Sequence, residues 1–167
     1  IGQAANRFNG GRMLKKLLSI GLILLFFVAC APTAQNIEGE QWVAFSAEYV
    51  HQSGLDQWLF PDDVEYWSPS TADVRAVEDG VTAFLQENES AFFTDRPVRE
   101  RLNEYKRQYI GVVWDGRKIL YANFFCNTDP DWKENFVLVM DGGACYFQFK
   151  FNPNTGEFFQ LQVNGEA

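Results

Sequence analysis

The sequence has few of the residues that build metal centres and redox motifs. Its 167 residues include one histidine, His51, and three cysteines, none of which belongs to a Cys-x-x-Cys pair. Structural and catalytic zinc sites need clustered Cys, His or carboxylate ligands at short spacings. We therefore predict no metal site and no cofactor for this chain.

Basic residues are also scarce, with 14 Lys and Arg against 22 Asp and Glu, which leaves a formal net charge of −8. The acidity is concentrated between Glu38 and Asp95, where 13 acids accompany a single base, Arg75. Proteins that bind nucleic acid neutralise its phosphates with a surplus of Lys and Arg. The charge balance therefore argues against a nucleic-acid partner.

A hydrophobic run long enough to cross a membrane is missing as well. Residues 17–29 carry no charge, but they number only 13. As a helix they would span roughly 20 Å, short of the ~30 Å hydrocarbon core of a bilayer. They follow Met13 and two lysines, and a basic start before a short apolar run is typical of a secretory signal peptide. We predict a signal peptide over 13–29, with residues 1–12 as a mis-called start.

The end of this run, Phe27-Val28-Ala29-Cys30, resembles the lipobox of bacterial lipoproteins. The resemblance implies cleavage before Cys30 and a lipid on its sulfur. The chain would then be exported and anchored to the cell membrane or the outer membrane, facing the periplasm or the exterior. An ordinary signal peptide, cut near Ala31 or Ala34, is the alternative.

The two remaining cysteines, Cys126 and Cys145, are predicted to form a disulfide, because exported proteins fold in an oxidising compartment. They lie 145 − 126 = 19 positions apart. Two independent buried thiols are the alternative. Residues 30–40 are small and polar, which is typical of a tether. They lead into a single predicted domain over 41–167.

Two helices are predicted in the first half of this domain. A Ser or Thr cap after Pro69 precedes an apolar stripe on one face, formed by Val74, Val77 and Val81. A second helix is predicted to start at Asp95-Arg96-Pro97. Trp42, Phe45 and Tyr49 also recur at helical spacing, which indicates a further short helix.

The second half alternates with a period of two residues, which predicts β-strands. Asp115-Gly116 is a strong signal for a two-residue hairpin. The predicted strands are 109–114, 118–126, 136–140, 144–151 and 157–163. We therefore predict an α+β fold, with N-terminal helices packed on one face of an antiparallel meander of about five strands. This order resembles the cystatin-like and nuclear-transport-factor-like architectures over 69–163.

No catalytic constellation stands out, so we predict that the protein is not an enzyme. His51 lies near Ser46 and Ser53, but the sequence has no Gly-x-Ser-x-Gly elbow. Asp129 and Asp131 lack the glycine and the distant glutamate of a calcium loop. The carboxylates are numerous, and a carboxylate-dependent hydrolase remains the least favoured alternative.

The tryptophans near loops and strand ends are the candidate ligand-binding residues, because exposed rings can stack on sugars or apolar peptides. They are Trp58, Trp67, Trp114 and Trp132. Core packing is the competing interpretation for each of them, and Trp132, in a polar loop, is expected to be the most exposed. The favoured function is a lipid-anchored, non-enzymatic envelope protein that binds another envelope protein or has a structural role. The alternative is a lipoprotein that binds a glycan or a small ligand.

Overall fold

The computed structural model describes residues 1–2, 35–57, 59–60, 64–127 and 129–166. The chain divides into two units, Ile1–Ala31 and Pro32–Ala167, and every element named below belongs to the second. Cys30, Trp58 and residues 13–29 lie outside the described residues. The signal peptide, the lipidation site and the start at Met13 therefore stay predictions.

The fold is a mixture of helices and one mostly antiparallel sheet of seven strands, two more than predicted. Their order across the sheet is β1-β2-β4-β5-β6-β7, and β3 pairs with β4 beside the end of β2. Only β2 runs parallel to its neighbour β4. The strands are β1 (Ile37–Glu38), β2 (Trp42–Phe45), β3 (Glu65–Trp67), β4 (Lys106–Trp114), β5 (Arg117–Phe125), β6 (Tyr146–Asn152) and β7 (Glu157–Val163).

The predicted hairpin at Asp115-Gly116 is confirmed. Both residues have positive φ angles, 50° and 71°, which is the backbone of a type I′ turn. Trp114 consequently pairs with Arg117, and the register continues without a break to Lys106 opposite Phe125.

Helix α2 (Thr71–Glu87) is confirmed together with its start signal. The hydroxyl of Ser70 accepts a hydrogen bond from the Asp73 N–H, and the Asp73 carboxylate accepts one from the Ser70 N–H. This reciprocal pair satisfies two backbone donors that the first turn leaves free. The stripe along α2 is buried, as predicted, and consists of Val74, Val77, Val81 and Leu85.

Two other helix predictions are wrong in part. Residues 42–45 form β2 rather than a helix, because β4 offers them a parallel partner. The short helix α1 (Ala47–Ser53) begins only after Ser46, whose hydroxyl accepts the Tyr49 N–H. The segment after Pro97 is a 3₁₀ helix, Val98–Glu104, with non-helical angles at Arg101.

The sheet is covered on both faces, which corrects the prediction of helices on one face only. We call one side the helix face: it carries Tyr109, Ala122, Phe124, Phe147 and Phe149 and packs against α2. We call the other side the loop face, because α1 and irregular segments cover it. The loop face carries Ile110, Ile119, Tyr121, Asn123 and Lys150.

The predicted strand 136–140 is not a strand, and its polar backbone groups have other partners. The Val137 N–H donates to the Gln108 side-chain oxygen at 2.8 Å, and the Val137 carbonyl accepts from the Asn123 amide at 2.7 Å. Gln148 donates to the Asn123 side-chain oxygen at 3.2 Å. Gln108, Asn123 and Gln148, which we call the amide ladder, cross the loop face and hold the covering segment 129–142.

The disulfide prediction is confirmed. The Cys126 and Cys145 sulfurs are bonded, with their Cα atoms 5.0 Å apart. The Cys126 N–H also donates to the Cys145 carbonyl at 3.0 Å. The bridge therefore ties the end of β5 to the start of β6 and closes the loop that contains 129–142. Within the described part of the chain, no helix is both long and apolar enough to span a membrane.

Candidate binding cleft on the loop face

The three candidate tryptophans that the structure describes do not meet at one site. Trp58 lies outside the described residues. Trp67, in β3, packs on the helix face, where its indole N–H donates to the Val112 carbonyl at 3.2 Å. A Cβ on Gly111 opposite would lie 2.3 Å from the Trp67 carbonyl oxygen, so only glycine permits this approach. Trp67 therefore belongs to the packing of β3 on β4.

Trp132 is buried, although it was expected to be the most exposed tryptophan. Only 9% of its surface is accessible, and its ring lies edge-on to Phe125. Lys106 and Lys133 each place a Nζ atom 5.5 Å from its ring centre. The Trp132 carbonyl accepts a hydrogen bond from the Gln108 side chain. The Trp132 side chain is thus buried although its loop stays largely exposed, and the amide ladder bonds to the backbone of that loop.

Trp114 lines a cavity, as Trp132 also does, and its cavity is the larger of the two. The end of β4 places it beside a cleft of about 520 Å³ on the loop face, within the range of small-molecule sites. A smaller hollow of about 120 Å³ also has Trp114 and Gln160 in its lining. The aromatic rings that line the larger cleft include Phe60, Trp114 and Tyr121, and its polar side chains are Gln148, Lys150, Gln160 and Gln162. We call it the Lys150 cleft.

Lys150 lies directly over aromatic rings. Its Nζ atom is 3.3 Å from the centre of the Trp114 ring and 6.0 Å from that of Phe60. Register explains the placement, because Lys150 pairs with Tyr121 across β5 and β6 and so projects on the loop face. Burial lowers the pKa of its ammonium group, and burial raises the pKa of the Tyr121 phenol. Tyr121 therefore remains neutral near pH 7.

Lys150 differs from the other buried cation that the structure describes. Arg107, 8% exposed, has its guanidinium 3.4 Å from the Glu78 carboxylate. Lys150, 9% exposed, has no carboxylate oxygen within 4.0 Å among the described residues. The aromatic rings are its charge-stabilising neighbours there, and a cation–π contact offsets only part of the cost of desolvation.

A β-bulge shapes the rim of the Lys150 cleft. The register between β6 and β7 shifts between Gln148 and Lys150. Gln160, opposite this shift, has a φ angle of 53°, in the left-handed region that side chains other than glycine seldom adopt. Bulges bend a strand and re-aim its side chains, and they are over-represented beside functional sites. The irregular pairing lies where Gln160 and Gln162 line the cleft.

Two other hollows offer less chemistry. One of about 440 Å³ lies beside Trp132, but its cation, Lys133, already pairs with Glu38 at 3.0 Å. One of about 420 Å³ lies beside the exposed Phe93. In that hollow the side chain of Asn164 is occupied by the carbonyls of Val139 and Asp141.

The residues considered for catalysis have structural partners. The His51 Nδ1 atom lies 3.3 Å from an Asp56 carboxylate oxygen. Ser46 caps α1, and the Ser53 hydroxyl donates to the Val50 carbonyl. The Asp129 carboxylate accepts the N–H of Asp131, two residues later. Among the described residues, no cluster of three His, Cys, Asp or Glu side chains could hold a metal ion.

The predicted ligand-binding residues did not include Phe60, Tyr121 or Lys150. Alternation in Phe149-Lys150-Phe151 placed Lys150 on the face of the sheet away from the phenylalanines. In sequence, that pattern predicts a solvent-exposed face, because nothing indicates which segment covers it. The one available signal was a lone base in a strand flanked by aromatic residues.

Comparison with protein-family models, with curated proteins and with solved structures finds no match to this chain.

Proposed function

We propose that this chain is an exported, non-enzymatic binding protein, anchored through a lipid on Cys30, whose Lys150 cleft binds a saccharide. The observation that carries the proposal is the composition of the cleft, in which aromatic rings stand opposite amide side chains and a lysine. Sugar rings have apolar faces that stack on aromatic side chains. Their hydroxyls bond to amides and ammonium groups.

The sequence features and the disulfide support the exported location. Met13 precedes the apolar run that ends at Cys30, in the order of a lipoprotein signal. The Cys126–Cys145 bridge is typical of proteins that fold outside the reducing cytosol. In this proposal, the tether over 30–40 holds the domain at the cell membrane or the outer membrane, facing the periplasm or the exterior.

The cleft favours binding over hydrolysis. A glycosidase needs two carboxyl groups on either side of the scissile bond. The described residues that line the Lys150 cleft include no Asp or Glu. Its polar groups there are amides, a phenol and an ammonium, which orient a ligand through hydrogen bonds and charge. We therefore place binding ahead of the carboxylate-dependent hydrolase.

Titration of the mature domain with oligosaccharides tests the site. We expect tryptophan fluorescence to change on binding, because Trp114 lines the cleft. Trp114→Ala should abolish that binding, whereas Phe93→Ala, at an 84% exposed position outside the cleft, should leave it intact. Absence of binding to neutral and acidic oligosaccharides alike would contradict the proposal.

The anchor has its own test. Cys30→Ser should move the protein from the membrane fraction to the soluble exported fraction, because the serine cannot carry the thioether-linked lipid. Blocking the lipoprotein signal peptidase with globomycin should make the uncleaved precursor accumulate. A Cys30→Ser variant that stays in the membrane pellet would show that something other than the lipid holds it there.

A second candidate function, docking of another envelope protein, is favoured by exposed apolar side chains. Phe93 and Met140 are each 84% exposed, and Leu138 is 53% exposed. Solvated large apolar groups of this kind are found at protein interfaces when they form a contiguous patch. In vivo photo-crosslinking from position 93, with exposed Arg117 as the comparison position, tests this function.

A further inference from the structure

The charge of Lys150 has a consequence for the ligand. Taking an ammonium group out of water costs more free energy than a cation–π contact contributes. Arg107 has Glu78 as its counter-charge. For Lys150, the described residues supply aromatic rings and no carboxylate. The Lys150 cleft opens to solvent, so an anionic ligand can supply the charge that these described residues do not.

The other walls of the cleft limit the kind of anion. Gln148, Gln160 and Gln162 carry amides that bond to neutral hydroxyls and bring no charge. The cleft has one cation among its described lining residues, which matches one carboxylate. Phosphate sites usually combine several donors from arginines, backbone N–H groups or a helix N-terminus. The aromatic lining of the cleft, which includes Phe60 and Tyr121, matches the apolar face of a sugar ring.

We infer that the ligand of the Lys150 cleft is an acidic sugar, whose carboxylate binds the Lys150 ammonium while the sugar ring packs against the aromatic side chains that line the cleft. The inference rests on the proposed function and narrows its ligand class. A salt bridge with charge-assisted hydrogen bonds holds the carboxylate, and Gln160 and Gln162 receive the hydroxyls. Neutral sugars of the same shape bind the same cleft more weakly.

Paired ligands that differ only in charge test the inference. The ligands are trigalacturonate, a glucuronate-containing disaccharide and N-acetylmuramic acid, each compared with its methyl ester by isothermal titration calorimetry. We expect at least one acid to bind about tenfold more tightly than its ester, because a charge-assisted hydrogen bond is stronger than a bond to a neutral acceptor. Raising the salt concentration should narrow that difference.

Variants assign the preference to Lys150. In Lys150→Gln and Lys150→Met, the second keeping an unbranched stem against Trp114, the acid should lose more affinity than the ester, so that the difference between the two ligands disappears. Lys118→Gln, at an exposed cation over Trp67, is the matched control and should keep the preference. Circular dichroism checks that each variant is folded.

Three results would overturn the inference, and they are distinguishable from failure of the proposed function. If the wild-type protein binds acids and esters equally, it binds saccharides but does not prefer acidic ones, and the inference is wrong. If both Lys150 variants still prefer the acid to its ester, a residue other than Lys150 recognises the carboxylate. Asp62 and Asp63 follow Phe60 in the sequence and lie outside the described residues. The third result is tighter binding of acids by Asp62→Asn/Asp63→Asn than by the wild type. It would show that the protein itself supplies the counter-charge of Lys150. Failure of every sugar to bind contradicts the proposed function itself.

Discussion

The two faces of the sheet are built from different chemistry. The helix face is almost entirely apolar, with aromatic contacts that run from Phe124 through Phe147 and Phe149 to Phe158. The loop face is mixed: it combines apolar residues with the amide ladder and with Lys150. The candidate site lies on the mixed face, and the apolar face supplies the scaffold beneath it.

The difference follows from what covers each face. A helix satisfies its own backbone hydrogen bonds, so α2 contacts the sheet mainly through apolar side chains. The exception is Glu78, whose carboxylate pairs with Arg107 and accepts the Tyr109 hydroxyl. An irregular segment such as 129–142 has backbone N–H and carbonyl groups that must find partners once they are buried. Gln108 and Asn123 supply those partners to Val137. The polar residues of the loop face are therefore required by its irregular cover, and the same cover leaves room for a cleft.

The largest effect is expected on the helix face. Phe147 is fully buried and its ring contacts those of Phe92, Tyr105 and Phe124. Phe147→Ala should lower the free energy of unfolding by about 3–5 kcal/mol, the usual cost of a buried Phe-to-Ala change. Urea denaturation measures it. Phe93→Ala, the matched exposed control, should change stability by less than about 0.5 kcal/mol. If Phe147→Ala and Phe93→Ala lowered the free energy of unfolding equally, Phe147 would not be the buried core residue of the helix face that we describe.

Breaking the disulfide should loosen the cover of the loop face. The bridge closes a loop of 19 positions, for which chain-entropy estimates give about 3 kcal/mol. Cys126→Ser/Cys145→Ser should lose about that amount of stability. Hydrogen exchange should rise first in 129–142 and least in β4 and α2. Faster exchange in α2 than in the covering segment would contradict a separate role for the two faces.

Removing the centre of the amide ladder should have a somewhat smaller effect. Asn123→Leu keeps the side-chain volume but leaves the Val137 carbonyl and the Gln148 amide without the bonds they make to Asn123. Unpaired buried groups of this kind cost about 1–3 kcal/mol each, and we expect a total near 2 kcal/mol. Gln162→Leu, at an exposed position, is the control. Limited proteolysis should cut 129–142 faster only in the Asn123 variant.

The smallest effect is expected from alkaline pH. Burial and the Glu78 carboxylate raise the pKa of Tyr109 on the helix face, and burial raises that of Tyr121 on the loop face, above the usual value of 10.0. The folded state therefore holds these protons longer than the unfolded state does. Their contribution to stability is complete below pH 10 and is lost as the pH rises above it.

In Tyr121→Phe, the free energy of unfolding should fall less steeply above pH 10 than in the wild type. The difference in slope is at most about 1.4 kcal/mol per pH unit, the value for one proton. Lys150 acts with the opposite sign, because burial lowers the pKa of its ammonium below 10.5 and stability rises as it deprotonates. Thermal unfolding between neutral pH and pH 11 measures both. A Tyr121→Phe profile that coincides with the wild type would contradict burial of the phenol.

Local pattern was sufficient for some elements and failed for others. The capping box at Ser70 and the stripe along α2 depend on residues within one turn of each other, and the Asp115-Gly116 hairpin depends on two. Each was predicted. The strands β1, β2 and β3 have two to four residues, too few for alternation to be visible. The segment 136–140 alternates like a strand, but its partners are side chains.

The candidate site was predicted only at Trp114. The aromatic surplus pointed to four tryptophans without separating packing from binding, because the same residue serves both purposes. Trp132 became core through the Gln108 side chain, which lies 24 positions away. Trp67 became core through its approach to Gly111. Neither contact leaves a signal within a short window of sequence.

Local sequence and composition were enough for α2, the Asp115-Gly116 turn and the alternation of β5 to β7, because these rest on interactions between near neighbours in the chain. The Cys126–Cys145 bridge was predicted from the cysteine count together with the predicted export to an oxidising compartment. Only tertiary structure decided which elements cover each face, and so which residues become buried. Lys150 has the alternation of a solvent-facing residue; the register with Tyr121 and the loop that carries Phe60 place it among aromatic rings. A pairing between distant strands therefore created the cleft.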